Sequence, residues 1–343
     1  MTTIEPYTST QLGKFYLGNC EELLKGDLGR SLEGQVQLVF TSPPFPLNKK
    51  KRYGNQKGEE YLKWFTELAP ILSRLLKPNG SIVIELGNCW EDGRPVQSLL
   101  PLQSLLGFVS HEDAGLRLCQ QFICHNPARL PSPTQWVNVK RCRVTDSHTQ
   151  LWWMAISDEP KADNRKVLRP YSKKMQKLLN RGTYNAGKRS SGHKIGQSSF
   201  LKNNGGAISH NVLEMEPINP DAEVRIPGSA FSLSNTTSTD FFHAECKARE
   251  ITPHPARIQP RLVDFFVQFL TDPGDLVLDP FAGSNVTGYV AERTERPWVS
   301  IEAEEEYAKQ SCIRFEDPEV KKIDIAAPED TDLTPNLENS ESQ

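Results

Sequence analysis

The order of apolar and polar residues in the first hundred positions alternates between strand-like and helix-like segments. Residues 15–20, 36–40 and 81–86 are short apolar runs of strand length. Between the last two, residues 59–76 carry apolar side chains at the spacing of an amphipathic helix, and residues 77–80 are predicted to end that helix as a turn. This alternation predicts a parallel, doubly wound sheet with helices packed on it.

The same alternation returns near the carboxyl end of the chain. Residues 261–270 have the periodicity of a helix, and residues 276–278 are predicted to form a buried strand that ends at Asp279. A glycine turn and a second helix then lead to a strand over residues 298–301, which ends on Glu302. Two consecutive strands of the predicted sheet therefore each deliver a carboxylate at their carboxyl ends.

The middle of the chain interrupts this pattern. Residues 116–124 and 150–156 are extended and apolar enough for a sheet edge or a hairpin. From about residue 158 to residue 251 the chain is rich in Gly, Asn, Ser, Lys and Arg, and only residues 172–179 predict a helix. A stretch this long without regular periodicity is usually a functional insert. We therefore predict that it forms a recognition module.

Composition narrows the class of protein. A chain of 343 residues has room for one large α/β domain and a smaller module. No apolar run approaches the ~20 residues that span a bilayer, and the start lacks a signal segment, so we expect a cytosolic protein without a membrane partner. The seven cysteines are scattered without a C-x-x-C pair, which argues against a disulfide framework and a structural zinc site. We expect reduced thiols and no metal.

Charge is segregated along the chain, although the net charge is only −3. Residues 140–202 contain fifteen Lys or Arg against four Asp or Glu, whereas residues 302–343 contain thirteen acids against four bases. The basic stretch is the electrostatic footprint of a protein that binds a phosphate backbone, and a solvated charged face is the alternative. The acidic end beyond residue 327 is typical of a disordered tail.

The apolar run at residues 36–40 leads into Thr41-Ser42-Pro43-Pro44-Phe45. Consecutive prolines fix the backbone, donate no hydrogen bonds and leave their carbonyls free, so the segment is a stiff platform that carries acceptors, a hydroxyl and a ring. Such a platform suits a planar ring that bears an amino group. A proline-stiffened turn after an edge strand is the simpler alternative.

Gly283 and Glu302 together predict a nucleoside-cofactor site. Gly283 permits a tight turn after the strand that ends at Asp279, so that backbone amides at the start of the next helix can face an anionic group. Glu302 lies at the end of the following strand, where an acid accepts hydrogen bonds from ribose hydroxyls. The chain has neither G-x-G-x-x-G nor G-K-[ST], so the glycine turn alone is also typical of a purely structural turn.

Two motifs carry a resemblance to a known family. The S-P-P-F platform resembles the catalytic S-P-P-[YF] motif of amino-group DNA methyltransferases, and residues 279–285, D-P-F-A-G-S-N, look like their S-adenosylmethionine motif. The catalytic motif comes first, the insert next and the cofactor motif last, as in the beta group, which includes cytosine-N4 methyltransferases of type II restriction–modification systems. Residues 130–133, 136–138, 191–196 and 254–257 resemble further family landmarks.

The resemblance implies a fold and a division of the chain. The fold is a Rossmann-like, S-adenosylmethionine-dependent methyltransferase sheet of the α/β class, with permuted motifs and an inserted, mostly irregular recognition region. The chain would comprise a catalytic half (1–125), a basic target-recognition insert (126–252), a cofactor-binding half (253–326) and a disordered acidic tail (327–343).

The resemblance also assigns roles to particular residues. The implied catalytic residues are Ser42, Pro43, Pro44 and Phe45. The implied cofactor-binding residues are Asn19, Thr41, His254, Asp279, Phe281, Gly283, Ser284, Asn285 and Glu302. Two departures from the family pattern concern the cofactor site: Asn19 stands where the family often has Asp, and Pro260 lies one residue later than in the family's H-P-A-R-F-P form.

Cations near the platform and in the insert are the predicted contacts to double-stranded DNA. They are Lys49, Lys50, Lys51, Arg52, Arg129, Lys140, Arg141 and Arg143. The loop over residues 48–55 is interpreted as a mobile flap that contacts phosphates, with a solvated loop as the alternative.

The implied reaction is methyl transfer from S-adenosylmethionine to the N4 amine of a cytosine flipped out of the duplex. The Ser42 hydroxyl and the Pro43 carbonyl would accept the amino hydrogens while Phe45 stacks on the base. Methylation at cytosine C5 would instead need a cysteine that follows a proline, and none of the seven does. Ser42 favours cytosine over adenine, because adenine enzymes that resemble this family usually carry Asp or Asn there.

Three other functions remain alternatives. Adenine-N6 methylation would use the same fold, and a catalytically silent DNA-binding module would bind the cofactor without turnover. A nicotinamide-dependent dehydrogenase would share the acid at the strand end but would leave the S-P-P-F platform without a role. A restriction endonuclease of the same specificity is the expected functional partner.

Overall fold

The computed structural model describes residues 4–46, 58–127, 129–196, 199–214, 241–254 and 258–321 of the chain. The strands within these residues are β1 (Thr8–Ser9), β2 (Gly13–Leu17), β3 (Val36–Thr41), β4 (Leu76–Gly87), β5 (Arg117–His125), β6 (His148–Ala155), β7 (Gly187–Lys188), β8 (Lys194–Ile195), β9 (Val212–Glu214), β10 (Leu276–Asp279) and β11 (Trp298–Glu302). The helices are α1 (Cys20–Lys25), α2 (Asp27–Leu32), α3 (Gly58–Ser73), α4 (Leu100–Val109), α5 (Lys173–Arg181), α6 (Phe241–Ala248), α7 (Pro260–Leu270), α8 (Val286–Arg293), α9 (Glu305–Ile313) and α10 (Pro318–Lys321).

Nine strands form one large sheet in the order β1-β2-β11-β10-β3-β4-β6-β5-β9. The five strands from β2 to β4 in that order are all parallel. β6 runs antiparallel to both β4 and β5, and β1 is antiparallel at the other edge. The sheet is therefore mixed but mostly parallel, which confirms the predicted α/β class.

Helices cover both faces of the central strands. Alternate residues of β3 belong to two different core clusters, with Val39 packed among α1 to α4 and Phe40 packed among α7 and α8. A strand covered on both faces has no solvent side, so it is apolar at nearly every position. This explains why β3 appears in the sequence as a short continuous apolar run rather than as an alternating one.

One predicted boundary is wrong. The helix predicted over residues 59–76 ends at Ser73, and the predicted turn at residues 77–80 lies inside β4, which begins at Leu76. Leu75 and Leu76 are buried, so the apolar spacing of the helix continues into the strand without a break. The register between β3 and β4 shifts between Leu76 and Ser81, and this irregularity accommodates the four residues of the predicted turn.

The predicted insert contains more regular structure than its sequence indicates. The predicted helix over residues 172–179 is present as α5, which is capped by the Ser172 hydroxyl at the Met175 amide. Helix α6 has no counterpart among the predicted elements, because its eight residues are too few to establish a period. The insert is anchored at the opposite end of the sheet from the site, where Lys161 and Lys166 bind Asp272 and Lys161 also binds Asp275.

Neither a membrane-spanning helix nor a metal cluster occurs in the described residues. None of the helices in these ranges is long and apolar enough to cross a membrane. No group of three or more His, Cys, Asp or Glu within the described parts of the chain could hold a metal ion. The predicted acidic tail, residues 327–343, lies outside the described residues.

Candidate active site

A cavity of about 350 Å³ opens where the carboxyl ends of the central parallel strands meet. In open α/β sheets, ligands bind in this position. Of the thirteen residues predicted for catalysis or cofactor binding, eleven line the cavity: Asn19, Ser42, Pro43, Pro44, Phe45, His254, Asp279, Phe281, Gly283, Ser284 and Glu302. The structure thus brings together two motifs that are more than 230 residues apart in the chain.

The proline platform is held from below by helix α3. The Tyr61 hydroxyl donates a hydrogen bond of 2.8 Å to the Pro44 carbonyl. Tyr61 is fully buried, and burial raises the pKa of its hydroxyl well above the usual range, so the group stays a donor. Nothing in the sequence indicates this contact, because Tyr61 fits the apolar periodicity of its helix. The backbone of the platform is therefore fixed at Pro44.

Glu85 is a site residue that was not predicted from the sequence. It lies on β4, next to the end of β3, and it is only 9% exposed. Its carboxylate accepts a hydrogen bond of 2.8 Å from the Thr149 hydroxyl, and the nearby Ser42 hydroxyl also favours its charged form. Burial raises the pKa of this carboxyl, and the two hydroxyls and the charge of Arg129 oppose that rise. The available signal was that Glu85 is the single acid in β4 and follows the apolar residues 82–84.

Asp279 connects the platform to the cofactor loop. Its carboxylate accepts hydrogen bonds from the Thr41 hydroxyl at 2.7 Å, the Thr287 hydroxyl at 2.6 Å and the Phe281 amide at 3.1 Å. Burial raises the pKa of Asp279 to about 6, although all three hydrogen bonds oppose that rise. Thr41 is buried and acts through Asp279 rather than on the cavity wall.

The Asp279 carboxyl should make stability depend on pH. Between about pH 4 and pH 6 the folded protein holds a proton that the unfolded chain has released, so the free energy of unfolding should fall as pH rises through this window. Relative to Asp279→Asn, the wild-type protein should lose up to about 3 kcal/mol across the window. Urea unfolding of both proteins at several pH values measures this difference. Parallel pH profiles of the two proteins would contradict the assignment.

Glu302 closes the turn at Gly283. The Gly283 amide donates to the Glu302 carboxylate at 2.7 Å, and the Glu304 amide donates to its other oxygen at 2.9 Å. Gly283 has a φ of 52°, which favours glycine. The anionic group that faces the turn is thus supplied by the protein itself. Burial raises the pKa of Glu302, and its side chain still lines the cavity.

Asn19 and Asn285 both cap helices. The Asn19 side chain accepts from the amides of Glu21 and Glu22 at the start of α1, and Asn19 lines the cavity. Asn285 is fully buried and accepts from the Gly288 amide and the Ser300 hydroxyl. It lies behind the cavity wall, so any effect on a cofactor passes through the loop that it fixes.

Aromatic side chains form much of the remaining wall. Trp64 packs edge-on against Phe281, with ring centroids 5.7 Å apart, and its indole donates to Glu21 at 2.6 Å. His254 packs edge-on against Tyr307, with centroids 4.3 Å apart. Trp64 and Tyr307 were not predicted as site residues, because neither belongs to a sequence motif that indicates a site. The wall can therefore hold a flat, partly apolar ligand.

The eight predicted DNA-binding cations differ in their surroundings. Lys49, Lys50, Lys51 and Arg52 lie outside the described residues. Arg129, Lys140 and Arg141 are exposed, and the Lys140 ammonium lies 4.7 Å from the centre of the Trp136 ring. The Arg143 guanidinium stacks on Trp90 at 3.4 Å and donates to the Pro95 carbonyl at 3.0 Å. Arg143 therefore ties the loop after β4 to the insert.

Comparison with known proteins identifies the family. A DNA methylase family model matches residues 36–312, which include the platform, the insert and the cofactor loop. The chain belongs to the DNA methylase family. The type II methyltransferase M.PvuII of Proteus hauseri is 38% identical to it over 340 residues, which are 98% of this chain and 92% of that protein.

Two further comparisons agree with membership of the DNA methylase family. The type II methyltransferase M.BglII of Bacillus subtilis is 27% identical over 301 residues, which are 88% of this chain and 68% of that protein. The solved structure of PvuII DNA methyltransferase (cytosine-N4-specific) superimposes with a TM-score of 0.66 at 34% identity, covering 90% of this chain and 87% of that one. The predicted methyltransferase resemblance is confirmed.

Proposed function

We propose that this DNA methylase transfers a methyl group from S-adenosylmethionine to the exocyclic N4 amine of a cytosine that is flipped out of duplex DNA. The observation that carries the proposal is that the S-P-P-F platform, Ser42 to Phe45, lines the same cavity as Glu302. The 38% identity to M.PvuII, together with the likeness to the cytosine-N4-specific PvuII DNA methyltransferase structure, supports cytosine N4 as the target.

The charge of the cavity fits a sulfonium cofactor. Glu21, Asp279, Glu302 and Glu304 line it, and among the described lining residues there is no Lys or Arg. A dinucleotide such as NAD carries a pyrophosphate, which an acidic wall would repel, so the dehydrogenase alternative is disfavoured. S-adenosylmethionine carries no phosphate and, when bound, supplies the methyl group on a positively charged sulfur. Glu302 would hold the ribose hydroxyls, and the aromatic wall would hold the adenine.

The protein's own contribution to the reaction is to position the target amine. That nitrogen is a poor nucleophile, because its lone pair is delocalised into the ring. With its hydrogen directed toward the nearby Glu85 carboxylate, the Ser42 hydroxyl would keep its oxygen free to accept an amino hydrogen of the base. The Pro43 carbonyl would accept the other amino hydrogen, and the Phe45 ring would stack on the base. Holding both hydrogens makes the nitrogen more tetrahedral and aims its lone pair for in-line attack.

Glu85 would also receive the proton that the methylated amine loses. Its carboxyl is buried and its pKa is raised, so it accepts a proton more readily than a solvated carboxylate. The proton would pass through the Ser42 hydroxyl, which would lie between the two groups. No covalent intermediate is needed in this sequence of steps.

A basic segment of the insert would bind the DNA backbone. Residues 164–213 contain eleven Lys or Arg and no Asp or Glu. Four of these cations lie on α5, a helix without buried residues, at Lys173, Lys174, Lys177 and Arg181. Within the described ranges none of these four forms an ion pair with an acid. Phosphates are the complementary partner for such a helix.

Neutralising α5 should weaken DNA binding and reduce its salt dependence. Replacement of the four cations by glutamine should lower the slope of log K against log salt by up to about 3 to 4, because each phosphate contact contributes about 0.9. Fluorescence anisotropy with a labelled duplex over a range of salt concentrations measures the slope. Lys309→Gln is the matched control, since Lys309 already pairs with Glu305 at 2.8 Å. A slope equal to that of the wild type would show that α5 is a solvated charged face that does not contact DNA.

The domain divisions remain proposals, and so do the biological partner and location. Residues 1–125 and 253–326 would form the two halves of the catalytic unit, with residues 126–252 as the target-recognition insert. The type II relatives support pairing with a restriction endonuclease of the same specificity. Because those relatives are bacterial proteins and the substrate is DNA, the enzyme would work in the cytoplasm.

The decisive experiment is incubation with mixed-sequence duplex DNA and methyl-labelled S-adenosylmethionine, followed by digestion to nucleosides and mass spectrometry. Labelled N4-methylcytosine is the expected product. Labelled N6-methyladenine would be consistent with the proposed mechanism but would show that the target base is adenine rather than cytosine. Cofactor binding without any labelled nucleoside would favour a silent DNA-binding module.

A further inference from the structure

Gly87, the last residue of β4, touches the aromatic ring of the catalytic platform. It is buried, and it pairs with Thr149 of β6 in the sheet. A Cβ atom built on Gly87 would lie 2.5 Å from Cε2 and 2.8 Å from Cδ2 of Phe45. These distances are far shorter than the roughly 3.5–4.0 Å at which two carbon atoms pack. The Phe45 ring therefore rests directly on the backbone of Gly87, in space that any other residue would fill.

The requirement for glycine here is one of space rather than backbone conformation. Gly87 is not among the residues with a positive φ. It lies in a regular strand, where a residue with a side chain would be the ordinary choice. A glycine in a strand often marks a place where another group approaches the backbone closely, and the group that approaches here is Phe45.

We propose that Gly87 is a positioning residue for methyl transfer: it lets the Phe45 ring withdraw toward the sheet and so sets the width of the slot that takes the target base. The inference rests on the proposed function, since Phe45 matters in this way only if a flat base enters the cavity. Phe45 is half-buried and lines that cavity, so displacement of its ring changes the slot.

The surroundings leave the ring few directions in which to move. The backbone next to Phe45 is held by the Tyr61 hydroxyl at the Pro44 carbonyl, 2.8 Å away. Ser42, at the other end of the platform, directly follows Thr41 of β3, which pairs with Ile84 of β4 in the sheet. A methyl group at position 87 would push the ring by about 1 Å to restore normal contact. The ring would then move into the cavity, and a displacement of this size at a reacting centre can cost about 100-fold in rate.

Gly87→Ala tests the proposal. We expect the variant to lose about 10- to 100-fold in kcat/KM for DNA, with the Kd for S-adenosylmethionine within about twofold of the wild type. In a Phe45→Ala background the same change should cost little, because the ring with which the methyl group collides is absent. This non-additivity is the signature of a direct contact between the two positions. Gly107→Ala is the control, since its Cβ would approach Thr66, away from the cavity.

Each outcome decides the question. Gly87→Ala activity equal to wild type would overturn the proposal, and so would an equal cost of Gly87→Ala with and without Phe45. A parallel loss of cofactor affinity and thermal stability would assign Gly87 a general structural role and would also overturn it. If the wild-type enzyme yields no methylated nucleoside in the same assay, the proposed function itself fails, which distinguishes that case from the others.

Discussion

Ser42→Ala should lower kcat by about 100- to 1,000-fold while the Kd for S-adenosylmethionine stays within about twofold of the wild type. The hydroxyl is the group that would accept an amino hydrogen of the base and pass the proton to Glu85, and such positioned acid–base groups typically contribute about 10²- to 10⁴-fold. It lies in the half of the cavity formed by the platform, so its removal leaves the Gly283–Glu302 turn intact. Single-turnover methylation and equilibrium binding of the cofactor measure the two quantities separately.

Glu85→Gln should cost nearly as much as Ser42→Ala, because an amide receives a proton far less readily than a carboxylate. The double variant should be little worse than either single one, as expected for two groups that act as a unit. Thr149→Val is the control: it removes the other hydroxyl at Glu85 but leaves Ser42 in place. Additive losses in Ser42→Ala and Glu85→Gln, or a matching loss of cofactor affinity, would contradict the paired role.

The parts of the fold and site that could be predicted are those encoded by local sequence pattern. β3, β10 and β11 are short apolar runs, and each ends at the residue or motif that carries chemistry. Because parallel strands end at the same edge of a sheet, Ser42 and Glu302 could be expected near one cavity although 260 positions separate them. The proline platform was predictable for the same reason, since its stiffness is a property of the residues themselves.

The parts that could not be predicted depend on contacts between elements. Glu85, Tyr61 and Gly87 all support the platform, but apart from the single acid in β4 nothing in their own neighbourhoods indicates it. Tyr61 satisfies the periodicity of α3, and Gly87 looks like the ordinary end of a strand. Their roles arise only when β4 and α3 are placed against Phe45 and Pro44. Side-chain contacts of this kind depend on how the elements pack together. The periodicity of apolar residues within one element does not predict them.

The platform residues that would contact the target base are therefore positioned by three residues outside the S-P-P-F motif. Glu85 lies near the hydroxyl of Ser42, Tyr61 donates a hydrogen bond to the carbonyl of Pro44, and Gly87 leaves room for the ring of Phe45. Asp279 connects this platform through Thr41 to the loop that would bind the cofactor. Such rigid positioning favours methyl transfer, because the rate of in-line attack falls steeply when the target amine is misplaced by about 1 Å.

Glu302→Ala should have the opposite kinetic signature to Ser42→Ala. The carboxylate accepts from the Gly283 amide and, by our proposal, from the ribose hydroxyls, and hydrogen bonds to charged groups are worth about 1.5–3 kcal/mol each. The Kd for S-adenosylmethionine should rise by about 10- to 100-fold or more, while kcat at saturating cofactor changes little, because the platform is untouched. Isothermal titration calorimetry and saturation kinetics measure the two effects.

Two further variants sharpen the Glu302 test. Glu302→Gln keeps an oxygen for the Gly283 amide but loses the charge, so its Kd should lie between those of the wild type and Glu302→Ala. Glu305→Gln, three residues further on, removes an exposed carboxylate of α9 that pairs with Lys309, and it should leave the Kd unchanged. A fall in kcat with an unaltered Kd in Glu302→Ala would show that Glu302 acts on the reacting atoms rather than on the cofactor. In that case the division of the cavity into a platform half and a cofactor half would be wrong.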